Sequence, residues 1–293
     1  MSQDQSRRRA IKNLMMGSVA AGAFTPFSAQ CSPAEKSTAL KGNINHAVCR
    51  WCYQSIPLED LCKSAKEIGI KGIDLVGPKD WPVLKQYGLH SSMCNGAEIN
   101  LVDGWNDKKF HAQLIKNYTE MIPMVAKAGY TNLICFSGSR RGIDDETGWK
   151  NCVEGLKQIM PLAEQNNVMI VMELLNSRVD HKDYQCDKTP WGVELVKRLG
   201  SPHFKLLYDI YHMQIDEGDV IRTIRDNHQY IAHYHTGGVP GRNEIDSTQE
   251  LYYPAIMEAI VKTGHKGFVA QEFIPTWKDK IAALRKGVEI CDV

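Results

Sequence analysis

Residues 204–214 read Phe-Lys-Leu-Leu-Tyr-Asp-Ile-Tyr-His-Met-Gln, a short apolar run that carries an acid near its end and a histidine three residues later. Phe204, Leu206, Leu207 and Ile210 make the strand, so Asp209 stands where an ionised carboxylate costs several kcal/mol unless something pairs with it. A metal ion is one such partner. His212 follows the expected end of the strand, where its imidazole can turn back toward the same point. An Asp bonded to nearby backbone beside a surface His is the plain alternative, and this stretch alone leaves both open.

Working outward, the same rhythm of short apolar run, polar loop and amphipathic segment is repeated through eight turns. Strands are predicted over 44–51, 72–76, 88–93, 132–136, 168–174, 204–209, 230–235 and 267–273. The clearest helical patterns between them cover 107–128, 148–166 and 251–263. Helices end at Gly69, Gly129 and Gly264, where a left-handed cap is expected, and each feeds directly into the next strand. Strict alternation forces parallel strands with right-handed crossovers, and eight units in about 250 residues match a single-domain α/β fold, the closed (β/α)8 TIM barrel. An open doubly wound sheet normally carries a Gly-rich phosphate loop after its first strand, and Arg50-Trp51-Cys52-Tyr53-Gln54-Ser55-Ile56-Pro57 is not one.

The composition, 43% hydrophobic and 24% charged over 293 residues, is that of an ordinary soluble protein. Its formal charge of +1 is set by the first 31 residues, where Arg7, Arg8, Arg9 and Lys12 face only Asp4; the remainder holds 31 basic and 33 acidic residues. Such a balance argues against a nucleic-acid surface. The basic cluster precedes a mildly apolar, Gly/Ala-rich run over 14–27, too short and weak to span a membrane. It resembles a twin-arginine export signal, which implies a periplasmic protein, either cleaved nearby or lipid-anchored at Cys31. The expected organisation is a leader over 1–31, a linker over 32–42 and the barrel over 43–293. Nine cysteines form no dense framework; Cys49 and Cys52 have a CxxC spacing without a second such pair, and in the first strand they should point to opposite faces.

In barrels of this kind, chemistry gathers at the carboxyl ends of the strands. Strand five ends in Val171-Met172-Glu173, strand six offers Asp209 and His212, strand seven runs His233-Tyr234-His235, and strand eight reads Val269-Ala270-Gln271-Glu272. Four successive strands therefore bring metal-capable residues to one rim. Glu173, Asp209, His235 and Glu272 form an oxygen-rich ligand set that favours Mg²⁺ or Mn²⁺. His235 lies nearer the rim than His233, which is left packed beneath it or behind the ligands. Two glutamates across such an ion can take a proton from one carbon and return it to a neighbour through an enediolate, while the ion polarises the adjacent carbonyl. His212 and Arg242 are candidates to hold substrate oxygens, Arg242 by its bidentate fork. Asn176 and Glu244 are candidate supporting residues. Further candidates are an anion-binding loop over 137–142, a lid with His181, Asp183 and Tyr184, and a sugar-stacking surface from Trp51, Trp105 and Trp191.

The segments Glu173-Leu174-Leu175-Asn176-Ser177, Tyr208-Asp209-Ile210-Tyr211-His212-Met213-Gln214, the 233–246 run that contains Pro240-Gly241-Arg242-Asn243-Glu244, and Gln271-Glu272-Phe273 resemble the hydroxypyruvate isomerase branch of the xylose isomerase-like TIM barrels. The resemblance covers roughly 43–293. It implies metal binding at Glu173, Asp209, His235 and Glu272, proton transfer by the two glutamates, and substrate contacts at His212 and Arg242. The implied partner is a small sugar or hydroxy-keto acid, and a homo-oligomer is compatible with this composition. A keto-sugar 3-epimerase, a keto-sugar lyase or dehydratase, and a non-catalytic exported sugar-binding protein are the competing readings. A multi-metal phosphodiesterase is disfavoured because His90 is the only histidine expected near the rims of strands two and three.

Overall fold

Short parallel strands leave backbone donors and acceptors on both edges, and this chain satisfies them by closing the sheet on itself. In the computed structural model, which describes residues 39–293, the strands are β1 (Asn45–Cys49), β2 (Gly72–Val76), β3 (His90–Cys94), β4 (Asn132–Cys135), β5 (Met169–Glu173), β6 (Phe204–Asp209), β7 (Ile231–Thr236) and β8 (Phe268–Gln271). They form one closed barrel in sequence order, every pairing parallel and β8 joined to β1. The architecture is the predicted eightfold α/β barrel. The leader, Cys31 and most of the linker lie outside the described residues.

The outer helices are α1 (Leu58–Ile68), α2 (Trp81–Gln86), α3 (His111–Ala128), α4 (Asp145–Leu156), α5 (Met160–Gln165), α6 (Thr189–Leu199), α7 (Ile210–Asp216), α8 (Val220–Asn227), α9 (Tyr253–Lys262) and α10 (Lys280–Cys291). None among the described residues is long and apolar enough to cross a membrane. Gly69 and Gly129 close α1 and α3 with φ of 98° and 83°, a left-handed turn that side chains resist. The helix expected over 148–166 is two helices. Pro161 lacks the N–H that a continuous helix needs, and its ring would strike the preceding turn, so α4 ends at Leu156 and α5 starts afresh.

Two further differences bear on the site. The first strand stops at Cys49, and Arg50–Tyr53 forms a 3-10 turn, so Cys49 and Cys52 do not alternate on one strand as expected. All eight cysteines among the described residues are buried and free. His90 opens β3 instead of ending it, and its ring stacks on Phe268 at the opposite end of the barrel from the rim.

Aliphatic side chains such as Val48, Ile73, Ile134, Val171 and Leu206 are fully or almost fully buried in the core. His46 on β1 shares that environment at 1% exposure. Burial lowers its pKa to about 4 although Asp292 lies 3.8 Å away. The unfolded chain therefore takes up this proton at higher pH than the fold, and stability present above about pH 6.5 is lost as pH falls toward the folded value. With His46→Gln, the loss of urea-measured stability between pH 7 and 4.5 is expected to shrink by about 2 kcal/mol. Equal losses in variant and wild type would refute this.

Candidate metal centre

Asp209 shows how local folding creates the site. It ends β6 and is at once the N-cap of α7, its Oδ1 accepting from the N–H of Tyr211 at 2.8 Å and of His212 at 3.3 Å. That bonding uses one oxygen for the helix start and leaves Oδ2 for the rim. A register shift between Leu206 and Leu207 sets Asp209 opposite His235 on β7. Glu173 is the last residue of β5, and Glu272 follows β8 directly, its N–H bonded to Thr236 at 3.0 Å.

One ligand atom from each of Glu173, Asp209, His235 and Glu272 lies within 4.8 Å of the other three. All four residues are buried. His235 Nδ1 is 2.7 Å from Glu272 Oε2 and 3.3 Å from Glu173 Oε1. The Arg242 guanidinium contributes Nη2, 2.5 Å from Glu272 Oε2 and 3.2 Å from Asp209 Oδ2. Trp51 Nε1 donates to Glu272 Oε1 at 2.7 Å. Arg242 itself is held between two rings, its Cζ 5.2 Å from the centroids of Trp51 and Tyr211.

The electrostatics follow from these partners. Burial pushes Asp209 up to about 8, Arg242 pulling against it and Glu272 adding to it. Glu173 is likewise raised by burial. Glu272 is buried too, yet His235 and Arg242 hold it well below the usual carboxylate range. Three carboxylates facing one imidazole and one guanidinium are a donor set suited to a hard divalent cation. Glu173 Oε1 strengthens the fit, being a buried oxygen without a hydrogen bond.

His212 is fully buried in the first turn of α7, with Nε2 3.6 Å from Asp209 Oδ2. Asn176 fixes its tautomer. The Asn176 oxygen accepts from the N–H of Val179 and of Asp180, both at 3.0 Å, so its amide NH₂ must face His212 Nδ1 at 2.6 Å. Nδ1 therefore accepts, and Nε2 carries the hydrogen toward the rim without a partner of its own. Burial, reinforced by Arg242, keeps this ring neutral.

Other expected residues stand elsewhere. Glu244 accepts from the N–H of Thr276 and Trp277 at 2.6 and 3.0 Å, so its carboxylate ties the loop after β8 and does not enter the cluster. Arg140 pairs with Asp145 and Asp187, and Arg141 with Asp103, which makes the expected anion loop a set of internal ion pairs. Among the three tryptophans, Trp105 and Trp191 are core residues and Trp51 alone touches the cluster. His181 lies near it, its ring 5.2 Å from that of His212. His233 packs below the rim with Nε2 2.8 Å from Asp74 Oδ2.

Asp74 and Cys49 are what the sequence reading missed. Asp74 on β2 is fully buried, and its Oδ1 is 3.1 Å from His235 Nε2. Cys49 Sγ lies 3.8 Å from the same nitrogen. The signal for Asp74 was present: an acid inside Gly72-Ile73-Asp74-Leu75-Val76 poses the same burial problem as Asp209.

Fold and rim together define a closed parallel barrel with a carboxylate-rich, metal-capable centre at the carboxyl ends of its strands. The chain belongs to the xylose isomerase-like TIM barrel family, whose description matches residues 62–290. A human protein named as a candidate hydroxypyruvate isomerase is 29% identical over 123 residues, 42% of this chain and 44% of that protein. A D-psicose 3-epimerase of Ruminiclostridium cellulolyticum is 28% identical over 173 residues, 57% of this chain and 55% of that enzyme. The chain thus spans about half the length of these curated relatives. The crystal structure of an AP endonuclease, family 2, from Brucella melitensis superposes with a TM-score of 0.75 over 84% of this chain and 98% of that one, at 22% identity, a likeness of fold.

Arg242 is the cation nearest the carboxylates, so Arg242→Gln is expected to destabilise the metal-free protein by about 3 kcal/mol at pH 8. Saturating Mn²⁺ should then recover more stability in the variant than it adds to wild type. Thermal unfolding with and without EDTA measures both; a metal-free variant as stable as wild type contradicts the assignment.

Proposed function

We propose that this chain is an isomerase that moves a proton between adjacent carbons of a small hydroxycarbonyl compound, with a hydroxy-oxo acid of the hydroxypyruvate type as its substrate class. One observation carries the reading: Glu173 and Glu272, from β5 and β8, both direct a carboxylate oxygen at the single point marked by His235 Nδ1, at 3.3 and 2.7 Å. The curated relative named for hydroxypyruvate isomerase supports the choice of class.

Glu173, Asp209, His235 and Glu272 would hold a divalent cation, Mg²⁺ or Mn²⁺. When bound, such an ion supplies polarisation of the substrate carbonyl, which acidifies the neighbouring C–H. One glutamate removes the proton from the hydroxyl-bearing carbon, and the electron pair of that C–H bond forms the enediolate. The other returns a proton to the former carbonyl carbon, while the hydroxyl proton passes between the two oxygens, so the reaction is neutral in mass and redox. His212 presents a fixed Nε2–H to a substrate oxygen, and Asn176 keeps it there. Arg242 retains a buried, unpartnered Nε donor beside Trp51 and Tyr211, suited to one oxygen of a substrate carboxylate.

The D-psicose 3-epimerase match favours a second reading, in which the proton returns to the carbon it left, on the opposite face. Incubating candidate hydroxy-oxo acids and keto-sugars in D₂O with Mg²⁺ or Mn²⁺ separates the readings. Isomerisation places deuterium on the neighbouring carbon, epimerisation on the original one, and elimination changes the mass.

Glu173→Gln and Glu272→Gln are each expected to lower kcat by about 10³-fold or more while the folded barrel persists by circular dichroism. Turnover at the wild-type rate in either variant, or no deuterium uptake with any substrate, would end the proposal.

A further inference from the structure

A histidine that offers one ring nitrogen to an ion must carry its hydrogen on the other, and whatever faces that other nitrogen decides whether it does. In this barrel His235 Nδ1 faces Glu272 and Glu173, while Nε2 points across the interior to Asp74 Oδ1 at 3.1 Å. Asp74 lies on β2, on the far side of the barrel from β7. The chain distorts itself to bring it there. The β2–β3 register shifts on both sides of Asp74, and Leu75 takes φ of 55°, a left-handed conformation that costs a leucine about 1 kcal/mol or more.

The other Asp74 oxygen is also committed. Oδ2 accepts from Ser92 Oγ at 2.7 Å and lies 2.8 Å from His233 Nε2. A second metal held by Asp74, His233 and His235 is the alternative use of these residues, whose ligand atoms are close enough to be considered. Their present engagements decide against it: Asp74 Oδ2 already accepts from Ser92, and His235 already presents its other nitrogen to Glu173 and Glu272.

We propose that Asp74 is a positioning residue for the metal centre: it accepts the Nε2 hydrogen of His235 and so leaves Nδ1, the nitrogen that faces Glu173 and Glu272, as the one offered to a bound ion. This inference rests on the metal-centre reading given above. Ser92 acts through Asp74, its hydroxyl donating to the second oxygen and so holding the first toward His235.

Asparagine at this position has one oxygen and one NH₂ where Ser92 and His235 now donate to opposite oxygens, so either orientation sets a donor against a donor. Asp74→Asn is therefore expected to weaken Mn²⁺ binding, read by calorimetry, by about 10-fold or more. A structural role alone would not move the tautomer. In the long-range ¹H–¹⁵N spectrum of Mg²⁺-loaded wild type, His235 should be protonated on Nε2, and in Asp74→Asn that signature should be lost. A folded Asp74→Asn protein that binds Mn²⁺ within threefold of wild type overturns the proposal. Should the variant not fold, the wild-type spectrum decides, since protonation on Nδ1 overturns it equally. Failure of wild type to bind Mn²⁺ at all would instead remove the metal-centre reading itself.

Discussion

Glu173, Asp209 and Glu272 are buried together, where water cannot spread their charge, and much of the rim is arranged around that fact. An unpaired carboxylate in such a place costs several kcal/mol, and three at one point are tolerable only with positive charge or donors among them. His235 and Arg242 bring the charge, Trp51 brings an indole N–H, and the first turn of α7 brings two backbone N–H groups. The differences between the acids follow from who stands beside each. Glu272, in contact with both His235 and Arg242, stays low, whereas Asp209 rises because burial outweighs its single 3.2 Å contact with the guanidinium.

Closure of the barrel makes this convergence possible. Parallel strands with right-handed crossovers place every carboxyl end on one rim, so residues 173, 209, 235 and 272, far apart in the chain, meet without any long loop. The same closure sets opposite strands face to face. The interior of such a barrel is ordinarily layers of aliphatic side chains, but here a polar column runs down from the carboxylates through His235 to Asp74, His233 and Ser92. A buried polar column is stable only when its members satisfy one another. The strain at Leu75 is the local cost of bringing Asp74 into it.

How far the sequence could be read differs by element for physical reasons. Strand six is found residue for residue, because a run of apolar residues bounded by a helix cap and an acid admits few alternatives. Gly69 and Gly129 were legible because a left-handed cap has a residue preference strong enough to see locally. The break at Pro161 was equally local and was overridden by the longer amphipathic pattern around it. Asp74 was different. Its partners His233 and His235 are about 160 residues away in the chain, and only the closed barrel puts them within hydrogen-bond distance. The converse error affected Glu244, whose proximity in sequence to Arg242 suggested support that its side chain gives instead to Thr276 and Trp277.

Arg242 also bears on the kind of substrate. Its guanidinium lies over the rings of Trp51 and Tyr211, on a backbone with φ of 57°, and bridges Asp209 and Glu272. Two aromatic faces orient a planar cation but contribute little charge, so the residue is fixed in direction whatever it pairs with. If a divalent ion shares those two carboxylates, their hold on the guanidinium weakens while the rings keep it aimed into the site. A buried arginine in that position needs another anion. A neutral keto-sugar brings only hydroxyl and carbonyl oxygens, which leave much of the charge uncompensated; the carboxylate of a hydroxy-oxo acid matches both the charge and the planar fork. On the isomerase reading proposed above, the same carboxylate cluster that calls for a cation favours, through Arg242, an acid over a neutral sugar.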